Sequence, residues 1–167
     1  MPKVDCSPVA TRIDPLRCMG KWYVQQQIPA VSFIEKGAHN GCEEYTYDET
    51  KKRIKVSYMF NKGSLSGPLK QVFQRGWVKS ELGTTWAVKP YIAFGLHAPF
   101  KLPYYIIDID SEEYSYMTAA APALGSHWLY LMTREAHPPA EKVEAMLAEV
   151  KRRNFDMKQL QVVPHDP

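Results

Sequence analysis

The chain has 167 residues, 45% of them apolar and 23% charged, proportions ordinary for one globular domain. A net charge of +3 and a pI near 8.7 are too mild a basic excess to mark a nucleic-acid-binding face. No apolar run approaches the ~20 residues needed to cross a bilayer, and the opening "MPKVDCSPVATR" lacks the apolar core of a signal peptide.

Asp14 and Pro15 in "IDPLRCM" read as the cap and first position of a helical turn. "KWYVQQQI" follows as a strand, then "CEEYTYD", the polar turn "DETKK" and "RIKVSYMF" as a hairpin. Ile54, Val56, Tyr58 and Phe60 share one face of this last strand, opposite Arg53, Lys55 and Ser57. The glycine- and proline-bearing "NKGSLSGPL" is a loop. "KQVFQRGWVK", "TTWAVKPYI", "PYYIIDID", "EYSYMTA" and "SHWLYLMTR" complete a count of eight short strands. Pro90 cannot donate to a ladder, so a bulge or an early strand end is expected there.

One helix, about 139–153, is legible. Val143, Met146, Leu147 and Val150 form its apolar stripe, and acids near its start and bases near its end suit the helix dipole. "FDMKQLQVV" adds a turn and a last strand. The basic runs "KKR" at 51–53 and "KRR" at 151–153 read as solvated surface. The expected fold is all-β: an eight-stranded antiparallel up-and-down barrel over about 20–135, with the helix packed outside, in one domain spanning 1–167.

Cys6, Cys18 and Cys42 are an odd number, so at least one thiol is free or pairs between chains. A Cys6–Cys18 or Cys6–Cys42 bridge stays open if the compartment is oxidising. The compartment is itself open: inside a cell, or beyond a membrane after removal of a leader. His39, His97, His127, His137 and His165 are scattered without metal spacing, and no metal or other cofactor is expected. Ser126 and His127 beside Asp108 or Asp110 do not make a triad, because no nucleophile elbow is present.

The order of a turn, eight strands, a helix and a closing strand resembles the lipocalin family. Three motifs carry the resemblance: Gly20 and Trp22 in "GKWY", Asp110 and Tyr114 in "DIDSEEY", and Arg134 in "WLYLMTRE". The stretches "FIEKG", "KLPYYIIDID" and "RRNFDMKQLQVV" are similar to those of bacterial outer-membrane lipocalins, apolipoprotein D and the plant temperature-induced and chloroplastic lipocalins. The likeness covers about 13–163. It implies that Trp22 closes the barrel floor and that Arg134 crosses beneath it, a cation–π contact worth roughly 0.5–2 kcal/mol.

The resemblance, with strand parity, assigns an interior lined by Val24, Gln26, Ile54, Val56, Tyr58, Phe60, Trp86, Val88, Tyr104, Ile106, Trp128, Tyr130 and Met132. Plain core packing is the competing reading for each, since a one-residue slip turns a whole face. Asp108 is equally placed to face inward or outward. The implied function is carriage or storage of a fatty acid, lysophospholipid or similar lipid. Haem, tetrapyrrole or carotenoid binding is an alternative, with His39 and His97 near the open end. So is an isomerase- or de-epoxidase-type enzyme using Cys42, Glu43, Glu44 or Asp108. The loop 92–103 is apolar, with Phe94, Leu96, Pro99, Phe100, Leu102 and Pro103; a comparable loop in the plant relatives implies membrane-surface contact. Monomer and homodimer are both compatible.

Overall fold

The computed structural model describes residues 2–30 and 32–167. Its sheet is a meander of antiparallel strands: β1 Gly20–Ile28, β2 Ala38–Asp48, β3 Arg53–Lys62, β4 Leu69–Val78, β5 Thr85–Ala93, β6 Leu96–His97, β7 Leu102–Ile109, β8 Tyr116–Ala123 and β9 Ser126–Thr133. β9 pairs back onto β1, from Tyr23↔Thr133 to Ile28↔Leu129, so the sheet closes on itself. Closure leaves eight strands in the barrel, each paired on both sides among the described residues. Because β1 starts at the floor, the connections after β1, β3, β5 and β8 form the mouth.

Two short strands exceed the expected eight. β10, Gln161–Val162, pairs with β1 at Gln26 and Gln27 and is the predicted closing strand. β6 lies within the stretch read as a loop. It arises where Pro90 was expected to bring a bulge or an early end to β5, and the pairing with β6 is irregular between Tyr91 and Ala93. Rather than ending there, β5 keeps its partner β4 at Gln74↔Pro90, but leaves β7 after Val88↔Leu102. Beyond Pro90 it pairs with β6 (Tyr91↔His97), and the Ala98 amide donates to the Pro90 carbonyl. Proline removes a donor but keeps an acceptor, so it marks a change of partner.

Two apolar layers follow from strand alternation. The inner layer gathers Trp22, Ile54, Phe60, Trp86 and Met132. The outer one gathers Ile28, Ile107, Leu129 and Leu131 beneath helix α2, Ala140–Arg152, whose Met146 and Val150 are buried against them. A short helix, α1 Ser32–Glu35, lies across the mouth connection.

Arg153 is buried, which corrects the reading of 151–153 as solvated surface. Its guanidinium donates to Glu149 at 2.8 Å and to the Ser7 carbonyl at 2.7 Å, and the Asp5 amide donates to the Arg153 carbonyl. The side chain therefore pins the N-terminal arm to the end of α2. Arg153→Ala is expected to cost about 1–3 kcal/mol. Hydrogen exchange should show the Asp5 amide losing protection while the barrel amides keep theirs. The three cysteines are free thiols, so neither candidate bridge forms.

Candidate functional site

The floor is built around Trp22, which is fully buried with its indole N–H donating to the Cys18 carbonyl at 2.8 Å. The guanidinium of Arg134 lies 3.7 Å above the indole ring. Its N–H groups are taken by the carbonyls of Lys21 (2.9 Å), Arg17 (2.8 Å) and Tyr114 (3.3 Å). A cation stacked on an aromatic face with its donors satisfied is favourable even where water is scarce. Gly20 has φ +93, and a Cβ there would sit 3.4 Å from the Arg134 guanidinium. The hydroxyl of Tyr114 accepts from the Asp14 amide at 2.8 Å, and Arg17 covers its ring at 4.1 Å. Asp110 closes the β7–β8 turn by accepting from the amides of Glu112, Glu113 and Ser115. Partial burial opposes ionisation there, but the Ser115 hydroxyl and these amides hold the carboxyl below its ordinary value.

Above the floor, twelve of the thirteen expected lining residues meet in one buried cluster: Val24, Ile54, Val56, Tyr58, Phe60, Trp86, Val88, Tyr104, Ile106, Trp128, Tyr130 and Met132. The exception is Gln26. A bulge at Gln25 shifts the register so that Gln26 pairs with the outward Leu131, and Gln27 takes the inward place. A second bulge, at Ile107, turns Asp108 outward towards Glu149 of α2 and Arg153 at its C-cap. Burial and the Glu149 charge push the Asp108 carboxyl up to about 6.

The aromatic rings touch in one continuous file. Phe60 meets Tyr58 (5.1 Å), Tyr58 meets Tyr130 (5.8 Å), and Tyr130 meets Trp128 (5.5 Å). Trp128 meets Tyr104 (5.3 Å), Tyr104 stacks on Trp86 (5.0 Å), and Trp86 meets Tyr45 (5.8 Å). None of these seven is more than 7% exposed. These rings therefore pack against one another and the surrounding strands.

Polar atoms punctuate this file. The hydroxyls of Tyr45 and Tyr104 are 2.7 Å apart, and Tyr45 donates to the Glu43 carboxyl at 2.6 Å. Nearer the mouth, Tyr58 donates to Gln27 at 2.7 Å and Gln27 donates to the Glu35 carbonyl at 3.0 Å. Tyr130 donates to the Glu35 carboxyl, so α1 is held down on the rings by a buried acid. Burial pushes Glu43 up to about 7, against the Tyr45 hydrogen bond and with help from the Glu35 charge. Burial likewise raises the Tyr45, Tyr104 and Tyr130 hydroxyls well above their usual value.

Sequence reading missed Tyr45, Gln27 and Glu35. Tyr45 was within reach: pairing "CEEYTYD" with "RIKVSYMF" across the intervening turn sets Glu43 opposite Tyr58 and Tyr45 opposite Val56, both inward. Gln27 and Glu35 carry no comparable signal, because a bulge and a lid create their positions.

All three thiols are held in the neutral form. Burial pushes Cys6 and Cys42 up to about 11 and Cys18 to about 12, so each is a neutral thiol near pH 7. Among the described residues, no group of three histidine, cysteine or acidic side chains could hold a metal ion. His39 shares a hydrogen bond with the Gly37 carbonyl, and His97 packs beside Tyr91 on the outer wall.

The pattern of a lipocalin-like domain matches residues 13–165. The chain belongs to the lipocalin family. Apolipoprotein D of Macaca fascicularis is 23% identical over 167 residues, covering 98% of this chain and 83% of that protein. Insecticyanin of the tobacco hornworm Manduca sexta superposes with a TM-score of 0.74 at 13% identity, over 97% of this chain and 85% of that one. Lobster apocrustacyanin A1 superposes at 0.64 with 14% identity, over 100% and 94% of the two chains. The cockroach allergen Per a 4 superposes at 0.65 with 18% identity, over 97% of each. Lipocalins bind small hydrophobic ligands, and this member has Arg134 stacked on Trp22 at the floor beneath a buried aromatic cluster.

Proposed function

We propose that the protein carries or stores one small hydrophobic molecule inside the barrel, an acyl lipid such as a fatty acid or lysophospholipid. The observation that carries this reading is the unbroken file of rings from Phe60 to Tyr45, punctuated by buried hydroxyl and carboxyl groups. Mostly apolar walls with a few fixed polar groups are what orient such ligands. The twelve buried lining residues and Gln27 form the contact surface, and the Tyr58, Tyr130 and Glu35 group near the mouth receives the head group.

Occupancy requires the rings to turn aside, with Trp128 the most accessible of the file. Trp128→Ala is expected to speed both association and release about tenfold, the effect of removing ~1.4 kcal/mol of gating cost. Stopped-flow tryptophan quenching with a long-chain fatty acid measures this, and unchanged rates would exclude a gate at Trp128. The reading itself is tested by native mass spectrometry of gently purified protein, followed by extraction. One lipid per chain supports it; empty protein that also fails to take up fatty acid or lysophospholipid overturns it.

Ile92, Phe94, Leu96, Phe100 and Leu124 are exposed around the mouth end, which supports loading from a lipid surface. Glu43, titrating near neutrality inside the barrel, favours catalysis as the second reading. The extracted molecule separates the two: an unaltered lipid means carriage, and an isomerised or deoxygenated product means turnover.

A further inference from the structure

The outer wall carries a second feature, unrelated to the interior. Register sets Lys55 opposite Arg75, and Arg75 opposite Lys89, so three cations stand side by side across β3, β4 and β5. They point away from the barrel axis, because Ile54, Val56 and Val88 take the inner face. Like charges directly opposite one another destabilise a sheet. Among the described residues none of the three has an ion-pair partner, and neither does Arg53, two residues from Lys55. Asp48 also lines the groove and stands opposite Arg53, whose charge it offsets, while its carboxylate accepts from the Lys51 amide at 2.9 Å; the ladder of Lys55, Arg75 and Lys89 has no such acid opposite it.

This ladder borders a groove of about 600 Å³ whose lining includes Arg53, Lys55, Arg75, Phe73, Tyr91 and His97. Its aromatic wall exists because β5 changes partner at Pro90 and brings β6 over the sheet. Tyr91 meets Phe73 edge-on at 6.4 Å and His97 at 5.6 Å. The Lys55 ammonium sits 5.6 Å over the Phe73 ring. Among the described residues His97 Nδ1 is shut off from solvent and finds no hydrogen-bond partner, the Gly95 backbone being the polar group that favours the charged form of the ring. Desolvation first, and then Arg75, Arg53 and Lys89, hold the imidazole below its ordinary pKa, so the field of these cations reaches into the groove.

We propose that this groove binds a small organic anion, its phosphate, sulfate or carboxylate group held by Lys55 and Arg75, with Lys89 next along the ladder adding its charge, and its flat apolar body lying against Phe73 and Tyr91. The volume suits such a molecule, uncompensated cations supply the attraction, and a ring wall supplies an apolar surface. An anion there would relieve the repulsion along the ladder. The protein would then carry two chemically distinct sites, one neutral and apolar within the barrel and one cationic outside it.

The test is heteronuclear NMR titration with phenyl phosphate and, separately, inorganic phosphate, at low ionic strength where surface charge is least screened. Phenyl phosphate is expected to move the Phe73, Arg75 and His97 resonances saturably and to raise the His97 pKa, since a bound anion favours the imidazolium. The double variant Arg75→Gln/Lys89→Gln should lose this response. Without ligand it should melt about 1–4 °C higher, because two like-charge pairs are gone. Equal shifts in the variant, or no saturable shift in the wild type, overturn the proposal. So does retention by anionic phosphatidylglycerol vesicles through Arg75 and Lys89 while phenyl phosphate moves nothing, an outcome that assigns the ladder to a lipid surface.

Discussion

Trp22→Ala is expected to lower the free energy of unfolding by about 3–5 kcal/mol, and the melting temperature by roughly 6–20 °C. Three losses combine. The indole is fully buried, so its removal leaves a cavity at the narrow end of the barrel, where the backbone cannot collapse because hydrogen bonds fix the strands. The Cys18 carbonyl loses its donor, and the Arg134 guanidinium loses the ring 3.7 Å beneath it. A double-mutant cycle isolates the last loss: Arg134→Ala should cost less in the Trp22→Ala background than in the wild type. A single variant melting within 2 °C of the wild type, by about the scale above, would show that the floor does not hold the barrel shut. Trp22→Phe, which keeps part of the volume but not the donor, should fall between.

The second expectation concerns pH, and its sign is unusual for a carboxylate. Glu43 titrates at about 7 in the folded protein against an ordinary value of 4.5, because burial disfavours its charged form. The native state thus holds a proton that the unfolded chain has released. Below about pH 4.5 both states are protonated and the stability is fully present; it declines as pH rises and levels off above about pH 7. A shift of this size corresponds to on the order of 3 kcal/mol between the two plateaus. Asp108, raised to about 6, acts with the same sign, whereas the lowered Asp5, Asp48, Asp110 and Glu149 act only at acid pH.

Glu43→Gln should therefore be more stable than the wild type at pH 8 and comparable at pH 5, because the amide oxygen still accepts from Tyr45 without carrying charge. Urea melts of both proteins across pH 5–8 check this. Parallel curves for the two would mean that Glu43 does not carry the dependence. Ligand affinity should follow the same titration if the Glu43 carboxyl sits against the bound molecule, which couples this measurement to the proposed function.

The sequence alone determined the barrel and its helix, because these depend on local patterns, and the floor through motifs shared with a known family. Strand alternation, as in Ile54, Val56, Tyr58 and Phe60, states which face is inward, and that face is inward in the fold. Trp22, Tyr114 and Arg134 were legible through the resemblance of their motifs to those of lipocalins, and they converge in the fold. Tertiary structure decided everything that turns on a one-residue shift or on what closes over what. Bulges at Gln25 and Ile107 exchanged Gln26 for Gln27 and turned Asp108 outward, and alternation cannot foresee an added residue. Of the two outcomes expected at Pro90, an early end does not occur and an irregularity does, between Tyr91 and Ala93, because what Pro90 lacks is a donor and the Ala98 amide needs only its carbonyl. Glu35 reached the interior because α1 folds over the mouth, and Arg153 was buried because the N-terminal arm returns to meet it. The cation ladder is of the same kind: Lys55, Arg75 and Lys89 are ordinary surface charges in the chain, and only the register of three strands sets them side by side.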